Sequence, residues 1–179
     1  MERHNQKRVY IISGPAGVGK STVAQALAEQ LTHSAYISGQ QILQMHSKGL
    51  KGLRKRKQDS VLLWYNILSL TKNFLMFNID TVIDFVTLPN EAMWLKKQLK
   101  NEFVEISYIV LWADKQTIID RDKNRKYEQQ LGEKCLLSYN LFSEASINKN
   151  HLLDTTMYSK NEISLLISDI MTSRLYLLD

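Results

Sequence analysis

The chain has 179 residues, 44% hydrophobic and 23% charged, enough for one domain with its own core. No apolar run is long enough to cross a bilayer, and Cys135, the only cysteine, excludes an internal disulfide and fits a reducing compartment. The net charge of +5 suits anionic ligands in general without implying nucleic acid.

The polar segment Met1–Arg8 has no apolar stretch of the secretory kind and runs straight into a strand at Val9–Ser13. A cytoplasmic location is expected. Behind the strand comes Gly14-Pro15-Ala16-Gly17-Val18-Gly19-Lys20-Ser21-Thr22. Gly14, Gly19, Lys20 and Ser21 satisfy G-x-x-x-x-G-K-[ST], the P-loop pattern. Phosphates carry dense negative charge, so a site for them needs many donors and little bulk. Glycines let backbone N–H groups approach phosphate oxygens closely. The helix that follows offers its unpaired first-turn N–H groups. Lys20 is expected to reach the β- and γ-phosphates, and the Ser21 hydroxyl to ligate Mg²⁺. A plain glycine turn would explain one glycine, but not the Gly-Lys-Ser triplet at the start of an amphipathic segment.

Short apolar runs then alternate with longer helical patterns, the sign of a parallel α/β sheet. A first helix spans about Lys20 to Leu31, with Val23, Ala24, Leu27, Ala28 and Leu31 on one face. A short second strand, Ala35–Ile37, ends at Ser38 and Gly39, and a helix covers Gln40 to His46. The basic run Lys48–Lys57 reads as an exposed connector, with a clamp for an anionic acceptor or a nucleic-acid patch as alternatives. Asp59 or Ser60 caps a long helix reaching Asn78, with Val61, Trp64, Tyr65, Leu68 and Leu75 on its buried side. A third strand runs from Thr81 to Val86, and Pro89 opens a helix to about Lys100.

Phe103–Trp112 is the fourth strand, and Asp114 caps a helix into the early 120s. Residues 121–134 are polar and basic and read as a mobile segment. A helix covers Glu133–Ala145, a fifth strand His151–Leu153, and a last helix is marked by Ile163, Leu166, Ile167, Ile170 and Met171. No repeat or interdomain linker interrupts residues 1–179.

Ligands in such sheets bind beyond the C-terminal ends of the strands. Those ends carry Ser38, Gln40 and Gln41 after strand two, Asp84 late in strand three, and Asp154 and Thr155 after strand five. Asp84 lies in an apolar strand and needs a partner. The Mg²⁺ shell supplies one, and a role as base on an acceptor hydroxyl is the alternative. Arg121 and Arg125 lie four apart and share a face if helical. Their planar guanidiniums suit phosphate and the charge that spreads as a phosphoryl group moves. No D-x-x-G follows the P-loop and no N-K-x-D is present, which disfavours a GTPase.

With these pieces placed, the chain resembles the small P-loop kinases: the shikimate, gluconate and adenylate kinase group and chloramphenicol phosphotransferase. Gly14–Ser21 matches their phosphate loop, Ile83-Asp84 the acidic third strand, Arg121-Asp122-x-x-Arg125 the arginine lid, and Asp154-Thr155-Thr156 the loop beside the adenine. The resemblance implies a three-layer α/β/α fold with five parallel strands in the order 2-3-1-4-5. It implies acceptor-side helices over about 40–78 and a lid over about 121–134 that closes to exclude water. It also implies ATP and Mg²⁺, with Gly14 to Thr22, Arg121, Asp154 and Thr155 on the nucleotide. Ser38, Gln40, Gln41 and Asp84 then face a small-molecule acceptor, and Lys20, Asp84, Arg121 and Arg125 carry catalysis. Many of these kinases have an aspartate just after strand two, where this chain has Ser38-Gly39-Gln40-Gln41. An amide can hydrogen-bond an acceptor but cannot take its proton, which leaves Asp84 the best candidate for the base. The expected activity is ATP-dependent phosphoryl transfer by a monomer or homodimer, without nucleic acid or membrane. The alternatives are an ATP-binding regulator with weak or no catalysis, and a nucleic-acid end kinase.

Overall fold

The computed structural model describes residues 6–46, 57–158 and 162–179. The expectation for the basic run falls almost wholly on residues outside these. Five apolar runs form one parallel sheet. β1 (Lys7–Ser13) lies at its centre, between β3 (Asp80–Asp84) and β4 (Val104–Trp112), with β2 (Ser34–Ser38) and β5 (Leu152–Asp154) outside. The order is β2-β3-β1-β4-β5, as the resemblance implied.

A central parallel strand is covered on both faces, so it must be apolar at every position. Val9 and Ile11 turn to one side, Tyr10 and Ile12 to the other, and none is more than 2% exposed. On the first side pack α2 (Gly39–Gln44), α3 (Lys57–Met76) and α4 (Pro89–Leu99), through Leu43, Leu63, Ile67, Leu75 and Leu95. On the second pack α1 (Lys20–Gln30), α5 (Lys115–Lys123) and α7 (Ile163–Thr172), through Leu27, Ile118 and Ile167. The helix α6 (Glu133–Glu144) feeds both cores, Phe142 into one and Cys135 into the other. Each fully buried aliphatic side chain stabilises the fold by about 1.5–3 kcal/mol.

Several expected boundaries move. β3 stops at Asp84, because the chain bends there and Thr87 is held on Ser13. α3 starts at Lys57, so Asp59 lies inside its first turn and complements the helix dipole there. Val61 and Tyr65, read as core, are 48% and 55% exposed; the buried stripe is Leu63, Trp64, Ile67, Leu68, Thr71 and Leu75. In the expected mobile segment, Arg121–Lys123 close α5 and Tyr127–Gln129 form a 3₁₀ turn. Beyond α7, Tyr176–Leu178 lie antiparallel against the lower half of β4. The Tyr108 N–H donates to the Tyr176 carbonyl and the Leu178 N–H to Ile106.

Candidate phosphate and nucleotide site

The chain leaves β1 through Gly14, which has φ +131°. A Cβ there would lie 2.2 Å from the Leu111 carbonyl oxygen, so the loop can pass this close to β4 only as glycine. The loop ends at Gly19, whose left-handed φ of 110° turns the chain into α1. No side chain caps α1 and its first turn carries no acid. Its first N–H groups and the positive end of its dipole therefore face the loop uncompensated, which is the electrostatics an anion requires. The Ala16 N–H is held by the Ser138 hydroxyl of α6 at 2.9 Å, which fixes the loop from behind.

Lys20 opens α1, and its ammonium folds back to donate to the Pro15 carbonyl at 2.9 Å. Burial pushes its proton affinity down to about 8; nearby Arg125 acts the same way and Asp84 opposes it. An ammonium in this setting gains by meeting phosphate. Ser21 and Thr22 are exposed beside it, and with Gly17, Gly19, Arg121 and Arg125 they line a crevice of about 700 Å³. A larger cleft of about 820 Å³ lies elsewhere, by Lys96, Phe103 and Leu177, and contains none of these groups.

Asp84 is the last residue of β3, buried, and in register with Ile12 on one side and Ser38 on the other. The Tyr36 hydroxyl donates to Asp84 Oδ2 at 2.7 Å. Burial, helped by this bond, pushes the phenol up to about 12, so it is a protonated donor at neutral pH. Among the described residues, no group of three or more His, Cys, Asp and Glu gathers to hold a metal. Mg²⁺ does not require such a cage, since it keeps waters and uses substrate phosphates with one or two protein ligands. Ser21 and Asp84, at the mouth of the phosphate loop, fit that pattern.

After β2, Ser38 is the N-cap of α2 and accepts the Gln41 N–H at 3.3 Å. Gln40 and Gln41 are exposed. Gly39 lies against Phe85: a Cβ on it would come within 2.3 Å of the ring. The turn after β2 is thus closed from inside by an aromatic ring, and its neutral amides face out.

Arg121 ends up heavily engaged. Its guanidinium donates to the Val18 carbonyl (3.2 Å), the Thr155 hydroxyl (2.9 Å) and carbonyl (2.5 Å), and the Tyr158 carbonyl (3.2 Å). It ties the phosphate loop to the turn after β5. Thr155 is buried and also bonds the Trp112 carbonyl, while Asp154 is exposed and accepts from Thr156. Arg125 is freer. It pairs with Asp122 at 3.6 Å and is the arginine whose charge bears on Lys20.

Tyr36, Ser138 and the Ser13–Thr87 pair were not singled out in the sequence, and Asp122 entered only as a position of the arginine-lid motif. Only Tyr36 left a usable signal there, standing two before Ser38 on a strand and so on the same face. Asp122 is buried and accepts the N–H groups of Leu131 (3.0 Å) and Gly132 (2.8 Å). Burial alone would raise its carboxyl; those N–H groups, Cys135 and Arg125 outweigh it and hold the group below its ordinary range.

Known proteins share this fold. No curated protein matches the chain in sequence. Among solved structures, a sugar kinase from Janibacter sp. HTCC2649 superposes with a TM-score of 0.70 at 14% identity, over 92% of this chain and 95% of that one. The APS kinase of Mycobacterium tuberculosis, solved with AMPPNP and APS, gives 0.68 at 16% identity over 94% and 99%. A gluconokinase from Sinorhizobium meliloti 1021 gives 0.67 at 15% identity over 97% and 95%. These likenesses establish a shared fold, that of the small P-loop kinases. Residues 9–139, well over half of the chain, match the AAA domain family AAA_33, and the chain belongs to that family.

Proposed function

We propose that the protein is a phosphotransferase that moves the γ-phosphoryl group of Mg·ATP to a hydroxyl or phosphate of a small molecule. The observation that carries this reading is the convergence of Lys20, Ser21, the open N-terminus of α1, Asp84 and Arg125 at one end of the sheet. Gly14 to Thr22 cradle the phosphates, and Lys20 neutralises charge on them. Bound Mg²⁺ would be held by Ser21 and Asp84 and would offset the charge of the β- and γ-phosphates. Arg125 meets the charge that spreads over the transferred group. Arg121, Thr155 and Asp154 hold the nucleoside end. Ser38, Gln40 and Gln41 orient the acceptor.

In the transfer, an acceptor oxygen bonds to the γ-phosphorus, the bond from that phosphorus to the β–γ bridging oxygen breaks, and ADP leaves. In the alternative to its metal role, Asp84 would be the carboxylate that takes the acceptor's proton. A reducing, ATP-rich cytoplasm fits this chemistry, with the chain acting as a monomer or homodimer.

Incubation with Mg·ATP and a panel of metabolites and antibiotics should yield one phosphorylated product, and Lys20→Met should abolish it. Equal behaviour of wild type and variant across the panel would remove catalysis through this loop. A second reading rests on Gln40 and Gln41, which leave the acceptor turn without a carboxylate. In that reading the protein binds ATP as a regulator, and turnover stays at background with every acceptor.

A further inference from the structure

One contact in the site answers to neither phosphate binding nor core packing. Tyr36 and Ser38 stand two apart on β2, so their side chains share a face. Register places Ser38 beside Asp84. The Tyr36 ring packs on the core under α1, and its hydroxyl reaches Asp84 Oδ2 at 2.7 Å. The hydroxyls of Ser38 and Ser21 sit beside the same phenol oxygen. The phenol thus stands between the two residues assigned to Mg²⁺. Among the described residues this is the one hydrogen bond found for the Asp84 carboxylate.

A carboxylate at a strand end turns about its χ2 torsion, which has broad wells. Fixing one oxygen removes that freedom and so sets the direction of the other. Partners of this kind orient the groups that hold a metal, and their loss weakens metal binding about 10–100-fold.

We infer that Tyr36 is the positioning residue of Asp84, its hydroxyl holding Oδ2 so that the second oxygen stays directed at the metal and phosphates. The inference rests on the proposed role of Asp84 and adds a residue outside the phosphate loop, the acidic strand and the arginine lid. It separates from plain packing because the ring and the hydroxyl can be tested apart. Tyr36→Phe keeps the ring and removes only the donor.

The test is calorimetric titration of AMPPNP with and without Mg²⁺, in wild type, Tyr36→Phe and Asp84→Asn. In wild type Mg²⁺ should strengthen binding. In Tyr36→Phe the metal-free affinity should stay at the wild-type value while the gain from Mg²⁺ falls about tenfold. A merely structural defect would weaken binding in both conditions and would overturn the inference. So would an unchanged Mg²⁺ gain in Tyr36→Phe when Asp84→Asn has lost it, and the role of Asp84 would then survive. If Asp84→Asn keeps the full gain, the metal role of Asp84 falls and the inference falls with it.

Discussion

The Ser13 hydroxyl and Thr87 bind each other in both directions. Ser13 Oγ donates to the Thr87 carbonyl at 2.6 Å and accepts the Thr87 N–H at 3.0 Å. The Tyr108 hydroxyl donates to the same carbonyl at 2.8 Å, and all three residues are buried. This junction sits under the phosphate loop, where the ends of β1 and β3 part. Ser13→Ala leaves the Thr87 N–H buried without an acceptor, a loss of about 1–3 kcal/mol. The midpoint of thermal unfolding should drop by about 5 °C, read by circular dichroism. A change under 1 °C would show that the pair is dispensable.

Lys20 predicts opposite pH trends for folding and for binding. Its proton affinity in the fold, about 8, lies below the ordinary lysine value of 10.5. Between these values the unfolded chain holds more of this proton, so this lysine's contribution to stability rises with pH across that window. Nucleotide phosphates favour the charged ammonium and pull the proton back. Affinity for AMPPNP should therefore fall as pH climbs through 8. Calorimetry at pH 8 in two buffers of different ionisation enthalpy should register proton uptake on binding. Lys20→Met should take up less.

Asp122 predicts an acid-sensitive anchor for the segment between α5 and α6. Its affinity for protons is depressed in the fold, so its stabilisation is present above the ordinary aspartate range and is lost as pH falls through the lower folded value. Asp122→Asn removes the charge from two N–H contacts and from Arg125 and should cost about 1–3 kcal/mol at pH 7. In urea melts the gap between wild type and variant should close as pH is lowered below the ordinary aspartate range. A constant gap would place the effect in packing instead.

Gly39 predicts a steric limit on the turn after β2, where the proposed function seats the acceptor. Alanine there would put its Cβ 2.3 Å from Phe85 Cδ2 and 2.6 Å from Cγ, atoms too near the ring's root to swing away. Gly39→Ala should destabilise by about 1–3 kcal/mol and lower acceptor turnover more than AMPPNP binding. Equal melting of variant and wild type would mean that α2 shifts freely.

The phosphate loop was legible because its chemistry forces a fixed spacing: glycines where a Cβ would collide, then Lys20 and Ser21 at a helix start. Strand order followed from the resemblance, and each strand from its apolar run. α3 was harder. Val61 to Leu68 is apolar on nearly every side, so periodicity could not separate the buried Leu63 and Ile67 from the exposed Val61 and Tyr65. Asp122 looked like one charge in a solvated run, because only its long-range contacts with Leu131 and Gly132 reveal it as buried. The tie of Arg121 to Val18 and Thr155 was not legible, because those residues lie 103 and 34 positions away.

Because β5 is three residues long, it meets β4 only over Val110–Trp112. The strip Tyr176–Leu178 takes over below it at Ile106 and Tyr108. A bare strand margin of this kind recruits strands from other molecules. Removing Tyr176–Leu178 would therefore invite edge-to-edge stacking and precipitation, with the loop at the far end of β1 still intact.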